Sequence, residues 1–129
     1  MKITIKDKNS VKDYKPEGKA IIIRIEDVYP IKDLKYGDLY LEEKRFFFLD
    51  IDYDMDYSIT EQEMIEIYNF VNNYKNKIDE IVVQCVYGQG RSPAVAFAIA
   101  KLFNFEEPLG EFPDRNNFIL DKFLNYFKS

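Results

Sequence analysis

The sequence predicts an α/β domain in which a mostly parallel central sheet is flanked by helices on both faces. Short apolar runs rich in β-branched residues alternate with segments of helical periodicity, in the order β, β, β, α, β, α, α. A glycine-containing loop joins the last of these runs to an alanine-rich segment, as when a strand leads into a helix. With 129 residues, of which 47% are hydrophobic, the chain is expected to form one domain spanning residues 1–129.

Three strands are predicted before the first helix. A short strand is expected at residues 2–5, a buried one at 20–25 and a third at 45–51. Between the second and third strands, residues 29–40 contain proline and glycine and are expected to form a loop or a short helical turn.

The first helix has a clear start at Thr60, because Glu63 three residues later completes a capping box. Apolar residues behind it recur at helical spacing and predict a buried stripe: Met64, Ile67, Tyr68, Val71, Tyr74 and Ile78. A strand at 80–84 follows, and Pro93 marks the first turn of a buried helix over 94–103.

The last predicted helix, residues 116–127, is amphipathic. Its apolar residues available for packing are Phe118, Leu120, Phe123, Leu124 and Phe127. Because active sites of parallel α/β sheets lie at the carboxyl ends of strands, two segments are candidates for function. One is the loop that follows residues 80–84, and the other is the acidic segment, residues 50–58.

Composition excludes several classes of function. The net charge of −5 argues against a nucleic-acid partner. Apolar runs are too short for a membrane span, and the N-terminus lacks the apolar core of a signal peptide. A single cysteine predicts a cytoplasmic protein without an internal disulfide. Histidine, the commonest general base and zinc ligand, is absent from the sequence; we expect no metal, no cofactor and a monomer.

The loop at residues 85–91, termed the Cys loop, has the composition of an anion-binding site. Gly88 and Gly90 permit backbone angles that aim several N–H groups at one point, at the positive end of a helix dipole. Arg91 adds a fork of donors suited to two phosphate oxygens. In this field Cys85 would be stabilised as a thiolate in position to attack phosphorus. The alternative is a buried structural cysteine beside a surface arginine.

Residues 85–92, Cys-Val-Tyr-Gly-Gln-Gly-Arg-Ser, resemble the Cys-x5-Arg-Ser/Thr signature of the cysteine-dependent protein tyrosine and dual-specificity phosphatases. The run GRSPAVAFAIAKLF is similar to the compact bacterial members, and the likeness extends more weakly over most of the chain. The resemblance implies a protein-tyrosine-phosphatase-like fold with the Cys loop between a strand and a helix. It also implies hydrolysis of a phosphorylated protein or small phosphomonoester through a phosphocysteine intermediate.

The resemblance implies a role for each residue of the loop. Cys85 is the nucleophile, Arg91 binds phosphate and stabilises the transition state, and the Ser92 hydroxyl assists the departing sulfur. For Ser92, a plain helix N-cap is the alternative role. The implied phosphate-binding residues are Val86, Tyr87, Gly88, Gln89, Gly90 and Arg91.

The family also uses an aspartic acid about thirty residues before the cysteine as general acid and base. Four aspartates alternate here: Asp50, Asp52, Asp54 and Asp56. In an extended segment all four would lie on one side, so spacing does not separate them. Asp52 fits best and Asp54 next, whereas Asp50 is expected to belong to the strand end. A solvated loop charge is the alternative for each of them.

One position departs from the family's pattern. Gln84 stands where these phosphatases usually have histidine, and glutamine supplies hydrogen bonds to loop carbonyls but no charge. We therefore expect a reduced rate. A phosphate-binding pseudophosphatase without turnover is the alternative function. A rhodanese-like sulfurtransferase, whose loop is usually tighter and which would leave the acidic segment without a role, is less favoured.

Overall fold

The computed structural model describes residues 1–27 and 33–128 of the chain. Four strands and three α-helices are present in these ranges: β1 (Lys2–Lys6), β2 (Ala20–Glu26), β3 (Tyr40–Phe47), α1 (Glu61–Tyr74), β4 (Glu80–Gln84), α2 (Arg91–Phe103) and α3 (Asn117–Phe127). Two short 3-10 turns accompany them, Val11–Asp13 and Gly37–Leu39. The α/β class and the predicted order of elements are confirmed.

The four strands form one parallel sheet in the order β1-β4-β2-β3. Strand β4 lies between β1 and β2, and its register places Ile81 opposite Ile3 on one side and Ile21 on the other. Because all strands run in the same direction, their carboxyl ends meet at one edge of the sheet. The segments that follow β2, β3 and β4 therefore start from the same edge.

The sheet has one large core and one small one. On one face, Ile21, Ile23 and Ile25 of β2 join a cluster that also contains buried residues of all three helices. The opposite face carries a smaller cluster: Val11, Ala20, Ile22, Tyr40 and Val82. Among the described residues, this smaller cluster is covered by a 3-10 turn, Val11–Asp13, and not by an α-helix. Pro16 and Gly18 follow the turn closely and disfavour a longer helix there. Within residues 1–27 and 33–128, all three α-helices contribute to the large cluster, so the described part of the chain does not have the predicted helices on both faces.

The third strand begins and ends earlier than the sequence predicts. β3 runs from Tyr40 to Phe47 instead of over 45–51, and it pairs along its length with β2. β3 is an edge strand, and its middle carries charged, largely exposed residues. The hydrophobic pattern of the sequence therefore did not reveal the first half of the strand. After it, the acidic segment consists of bends and turns, and alternation does not govern where its side chains point.

Helix α1 begins where the capping box predicts. The Thr60 hydroxyl accepts the Glu63 N–H (3.1 Å), and the Glu63 carboxylate accepts the Thr60 N–H (2.9 Å). Five apolar residues in this region are buried: Met64, Ile67, Phe70, Val71 and, beyond the end of the helix, Ile78. Phe70 was not in the predicted stripe, whereas Tyr68 and Tyr74, which were, are half-buried.

Helix α2 begins at Arg91, earlier than predicted, and Gly90 is its N-cap. Ser92 is therefore the second residue of the helix, and the alternative that it caps the helix is wrong. Helix α3 is capped by Asn116, whose side-chain oxygen accepts the Ile119 N–H at 3.0 Å. Its packing residues are Ile119, Leu120 and Phe123, which are buried, and Phe118, Leu124 and Phe127, which are partly buried.

Part of the predicted connection at residues 29–40 lies outside the described residues. Within the described part, Gly37–Leu39 forms a 3-10 turn, as one of the two expected alternatives requires. Over residues 1–27 and 33–128, every helix is too short or too polar to cross a membrane.

Candidate active site

The Cys loop connects the end of β4 to the start of α2 at the carboxyl edge of the sheet. The segment after β1 lies against it: the Lys6 carbonyl accepts the Cys85 N–H (3.3 Å), and the Lys8 N–H donates to the Val86 carbonyl (3.1 Å). Gly88 has a positive φ of 68°, and a Cβ there would press on the backbone of residue 7 at 3.0 Å. Both the conformation and the close approach require glycine.

The Cys85 sulfur is buried and lies among polar groups. The thiol is 2% exposed, and the Gly88 backbone N–H donates to Sγ at 3.2 Å. The Ser92 hydroxyl lies 3.1 Å from the same sulfur. A hydroxyl and an amide that both face sulfur can stabilise negative charge on it. The structure thus brings together Cys85 and Ser92, as the sequence predicts.

The Arg91 guanidinium is buried, and its described contacts are made by one nitrogen, Nη1. Its Nη1 donates to the Phe48 carbonyl (2.8 Å) and forms an ion pair with Asp27 (2.5 Å). Its Nε is also buried, and it has no hydrogen-bond partner among the described residues. An unpaired buried N–H is costly, by about 1–3 kcal/mol, unless a ligand accepts its hydrogen bond. Arg91 therefore has a donor available at the start of α2.

The six predicted phosphate-binding residues differ in exposure. Gly88, Gly90 and Arg91 are buried and Val86 is half-buried. Tyr87 and Gln89 are exposed, with Tyr87 at 76%, so these two side chains lie on the outside of the loop.

Asp50 lies directly against the Cys loop. A Cβ built at Gly90 would clash with the Asp50 carboxylate, which leaves that position to glycine. The Asn116 side-chain amide donates to Asp50 Oδ1 (2.7 Å) and to the Ile51 carbonyl (3.0 Å). The expectation that Asp50 belongs to the strand end is wrong, because β3 ends three residues before it.

The other aspartates of the acidic segment have different surroundings. All four aspartates, Asp50 included, are exposed, so they differ in their contacts and not in their burial. Lys122 of α3 donates to Asp54 Oδ1 and to the carbonyl of residue 59, both at 2.6 Å. Asp52 lines an open pocket of about 520 Å³ together with Asp50 and Arg115. The structure therefore separates four residues that spacing alone does not.

Gln84 is fully buried, and its side chain bonds to β2 instead of to loop carbonyls. Its Oε1 accepts the Arg24 Nε–H (2.8 Å), and its Nε2 donates to Glu26 (3.1 Å). Arg24 stands opposite Gln84 in the register of the two strands. Burial lowers the pKa of Arg24, an effect that Glu43 opposes. The described hydrogen bonds of the Gln84 side chain include none to a carbonyl of the Cys loop, which the sequence analysis considered.

Two residues near the Cys loop were not predicted from the sequence, Asp27 and Asn116. Asp27 directly follows β2, so the rule that pointed to the ends of β3 and β4 could have identified it. Asn116 carries the signal of a helix N-cap, but its contacts to Asp50 and Gly90 join segments distant in sequence, and no local pattern reports them.

Comparison of the chain with models of protein families finds no match. No curated protein matches it either.

Proposed function

We propose that this protein is a phosphomonoester hydrolase of the protein tyrosine or dual-specificity phosphatase type, with the corresponding fold. The observation that carries the proposal is the pair Cys85 and Arg91. A buried thiol with two polar neighbours and a buried guanidinium with a spare N–H stand at the two ends of one loop, at the N-terminus of α2. A dianionic phosphate ester matches the donors of such a loop and is the substrate that a thiolate there attacks.

In the first step, Cys85 Sγ attacks phosphorus and the bond from phosphorus to the ester oxygen breaks. The electron pair of that bond goes to the leaving oxygen, which takes a proton from a carboxylic acid. Arg91 and the loop amides neutralise the charge that develops on the equatorial oxygens. The product of this step is phosphocysteine.

In the second step, water attacks phosphorus and the S–P bond breaks. The carboxylate takes the proton from water, and the sulfur departs as a thiolate. The Ser92 hydroxyl and the Gly88 N–H, 3.1 and 3.2 Å from Sγ, support the sulfur as it regains its charge. Inorganic phosphate then leaves the Cys loop.

The acidic segment supplies the acid in this proposal. Asp52 and Asp54 are the residues that spacing favours, and the geometry adds Asp50, which lies against Gly90. Asp54 is engaged by Lys122 on α3. Proximity to the loop therefore ranks Asp50 first.

A phosphate-binding protein without turnover is the second candidate. The observation that favours it is the ion pair of Arg91 with Asp27, which places a negative charge beside the anion site. Gln84, which brings no charge and bonds to β2, points the same way.

The two functions are separated by turnover of p-nitrophenyl phosphate and of a phosphotyrosine peptide by wild type and Cys85→Ser. For the enzyme, wild type releases phosphate, vanadate competes, and Cys85→Ser falls to the uncatalysed rate while its melting temperature stays near that of wild type. Binding of the phosphopeptide by both proteins with no release of phosphate would support the non-enzymatic candidate. Cyanide-dependent consumption of thiosulfate by wild type would instead indicate a sulfurtransferase.

A further inference from the structure

Asn116 bonds to three segments that are distant from one another in sequence. Its side-chain oxygen caps α3 by accepting the Ile119 N–H (3.0 Å). Its side-chain amide donates to Asp50 Oδ1 (2.7 Å) and to the Ile51 carbonyl (3.0 Å). Its backbone N–H donates to the Gly90 carbonyl at 3.1 Å. A 9%-exposed residue thus joins α3, the acidic segment and the Cys loop.

The bond from Asn116 uses only one of the two carboxylate oxygens of Asp50. The atom nearest to a Cβ built at Gly90 is the other oxygen, Oδ2. Oδ1, which accepts from Asn116, lies 3.0 Å from the same Cβ position, so both oxygens are near Gly90 and Oδ2 is the nearer one. Of the two oxygens, Oδ2 is thus the one closer to Gly90 and free of the bond to Asn116.

No comparable contact to the Cys loop is described for the neighbouring aspartates. The Asp54 carboxylate is paired with Lys122, and its side chain is 73% exposed. Asp52 is exposed and lines the same open pocket as Asp50, and no contact of its side chain with Gly90 is described. Among the described residues of the acidic segment, Asp50 combines contact with the loop and a fixed orientation.

We infer that Asn116 is a positioning residue that holds the Asp50 carboxyl group against Gly90, so that Asp50 exchanges the proton with the ester oxygen and then with water. The inference rests on the proposed phosphatase function. In the first step Asp50 gives its proton to the oxygen that leaves phosphorus. In the second step the Asp50 carboxylate takes a proton from the attacking water. Asn116 exchanges no proton and acts only through Asp50.

The test uses two substrates that differ in how much they need an acid. The phenolate released from phenyl phosphate is strongly basic and needs a proton, whereas dinitrophenolate from 2,4-dinitrophenyl phosphate leaves without one. The measured quantity is kcat/KM, which reports the steps up to formation of phosphocysteine. A defect in proton donation lowers kcat/KM for phenyl phosphate selectively, and a loss of folded protein lowers both equally.

Asn116→Ser is the informative variant, because serine at an N-cap keeps an acceptor for the helix but its side chain no longer supplies the amide donor. We expect kcat/KM for phenyl phosphate to fall by about 10- to 100-fold, the cost of a misplaced catalytic group. The dinitrophenyl substrate should retain its rate within about threefold, because binding and nucleophilic attack are unchanged.

Asp50→Asn should show the same selectivity with a larger loss, about 10²- to 10⁴-fold on phenyl phosphate. In the double variant, Asn116→Ser should add almost nothing to the Asp50→Asn loss, since the residue acts through Asp50. Asn117→Ser is the matched control: Asn117 is the exposed next residue, whose side chain accepts from Arg115, and both substrates should be turned over at the wild-type rate.

Three outcomes would overturn the inference and leave the proposed function standing. Equal losses on both substrates for Asn116→Ser, with a lowered melting temperature, would mean a structural role only. Wild-type rates for Asn116→Ser on both substrates would mean that no positioning occurs. A selective loss for Asp52→Asn, with Asp50→Asn unaffected, would move the acid to Asp52. If wild type hydrolyses neither substrate, the proposed function fails as a whole and this inference with it.

Discussion

Gly90 is the residue at which the Cys loop and the acidic segment come closest. Its φ of −112° is available to any amino acid, so conformation does not require glycine there. What excludes a side chain is the Asp50 carboxylate, which occupies the position of a Cβ. The contact between the Cys loop and the acidic segment therefore depends on the absence of a Cβ at Gly90.

Gly90→Ala should displace Asp50 from the loop and slow the hydrolysis of phenyl phosphate by at least about tenfold, as expected for a catalytic group moved by an ångström. Gly37→Ala is the matched control, since a Cβ there meets the Leu34 Cβ at an ordinary 3.6 Å. Steady-state kinetics and thermal melting of both variants are the measurements. Full activity in Gly90→Ala would show that the contact has no catalytic consequence.

At the scale of secondary-structure elements, the paired strands β2 and β4 are joined by a network of buried polar side chains. Gln84 links Arg24 to Glu26 across the two strands, and all three are at most 2% exposed. Buried groups of this kind are stable only while each keeps its hydrogen bond. The residue before the cysteine thus serves the sheet beneath the loop.

Gln84→Leu should lower the free energy of unfolding by about 2–4 kcal/mol, because it leaves the Arg24 Nε–H and a Glu26 oxygen buried without this partner. Gln62→Leu, at an exposed position of α1, should change it by less than about 0.5 kcal/mol. Urea unfolding of the two variants measures both values. Equal stability of Gln84→Leu and wild type would mean that water or a rearranged side chain replaces the amide.

The elements that the sequence predicted well are those with local signals. The capping box placed the start of α1, and the β-branched run at 80–84 placed β4 with the same bounds as in the structure. The prediction for β3 was wrong because its buried residues, Tyr40 and Phe46, lie far apart and charged residues separate them. The apolar run after residue 45 was partly a loop that enters the core through Phe48.

The candidate site likewise contains contacts that the sequence predicts and contacts that it does not. Cys85, Gly88, Arg91 and Ser92 lie within one short loop, so their proximity could be predicted from the sequence. The contact of Asn116 with Asp50 spans 66 residues, and it follows from where the packing of α3 against α2 places the start of α3. Contacts of that kind depend on tertiary packing, which a pattern along one chain does not encode.

At the scale of the whole molecule, the face of the sheet that carries the smaller cluster holds two tyrosines, of which Tyr40 is buried and Tyr14 is partly buried. The Tyr14 hydroxyl donates to the buried carboxylate of Glu80 (2.5 Å), and its pKa is raised above 10 by burial and by Glu80. Tyr40 is 7% exposed, and burial also raises its pKa. Both groups hold their proton more tightly in the folded chain than in the unfolded one.

The contribution of Tyr14 and Tyr40 to the free energy of unfolding should therefore be complete below pH 10. It should decrease as the pH rises above 10, because these tyrosines ionise at lower pH in the unfolded chain than in the folded one. Tyr14→Phe and Tyr40→Phe should each make this fall shallower, whereas Tyr53→Phe, at an exposed position, should not. Urea unfolding at a series of pH values from 8 upward measures the slope. An unchanged slope in both Tyr14→Phe and Tyr40→Phe would contradict the assignment.

Measurements at neutral pH should distinguish Tyr14 from Tyr40. Tyr14→Phe removes a hydrogen bond to buried Glu80 and should destabilise the protein, by about 1–3 kcal/mol. The Tyr40 hydroxyl has no partner among the described residues, so Tyr40→Phe should be neutral or stabilising. The same unfolding experiment at pH 7 compares them, and a large destabilisation by Tyr40→Phe would reveal a partner for its hydroxyl.

In the proposed reaction Cys85 carries the phosphoryl group, and rapid acid quenching followed by mass spectrometry of the digested protein detects that group. Wild type or Asp50→Asn quenched during turnover of 2,4-dinitrophenyl phosphate should contain one phosphoryl group on the peptide that includes Cys85, which Cys85→Ser should lack. Turnover with a phosphoryl group on another residue, or with none trapped under conditions where it must accumulate, would contradict the account.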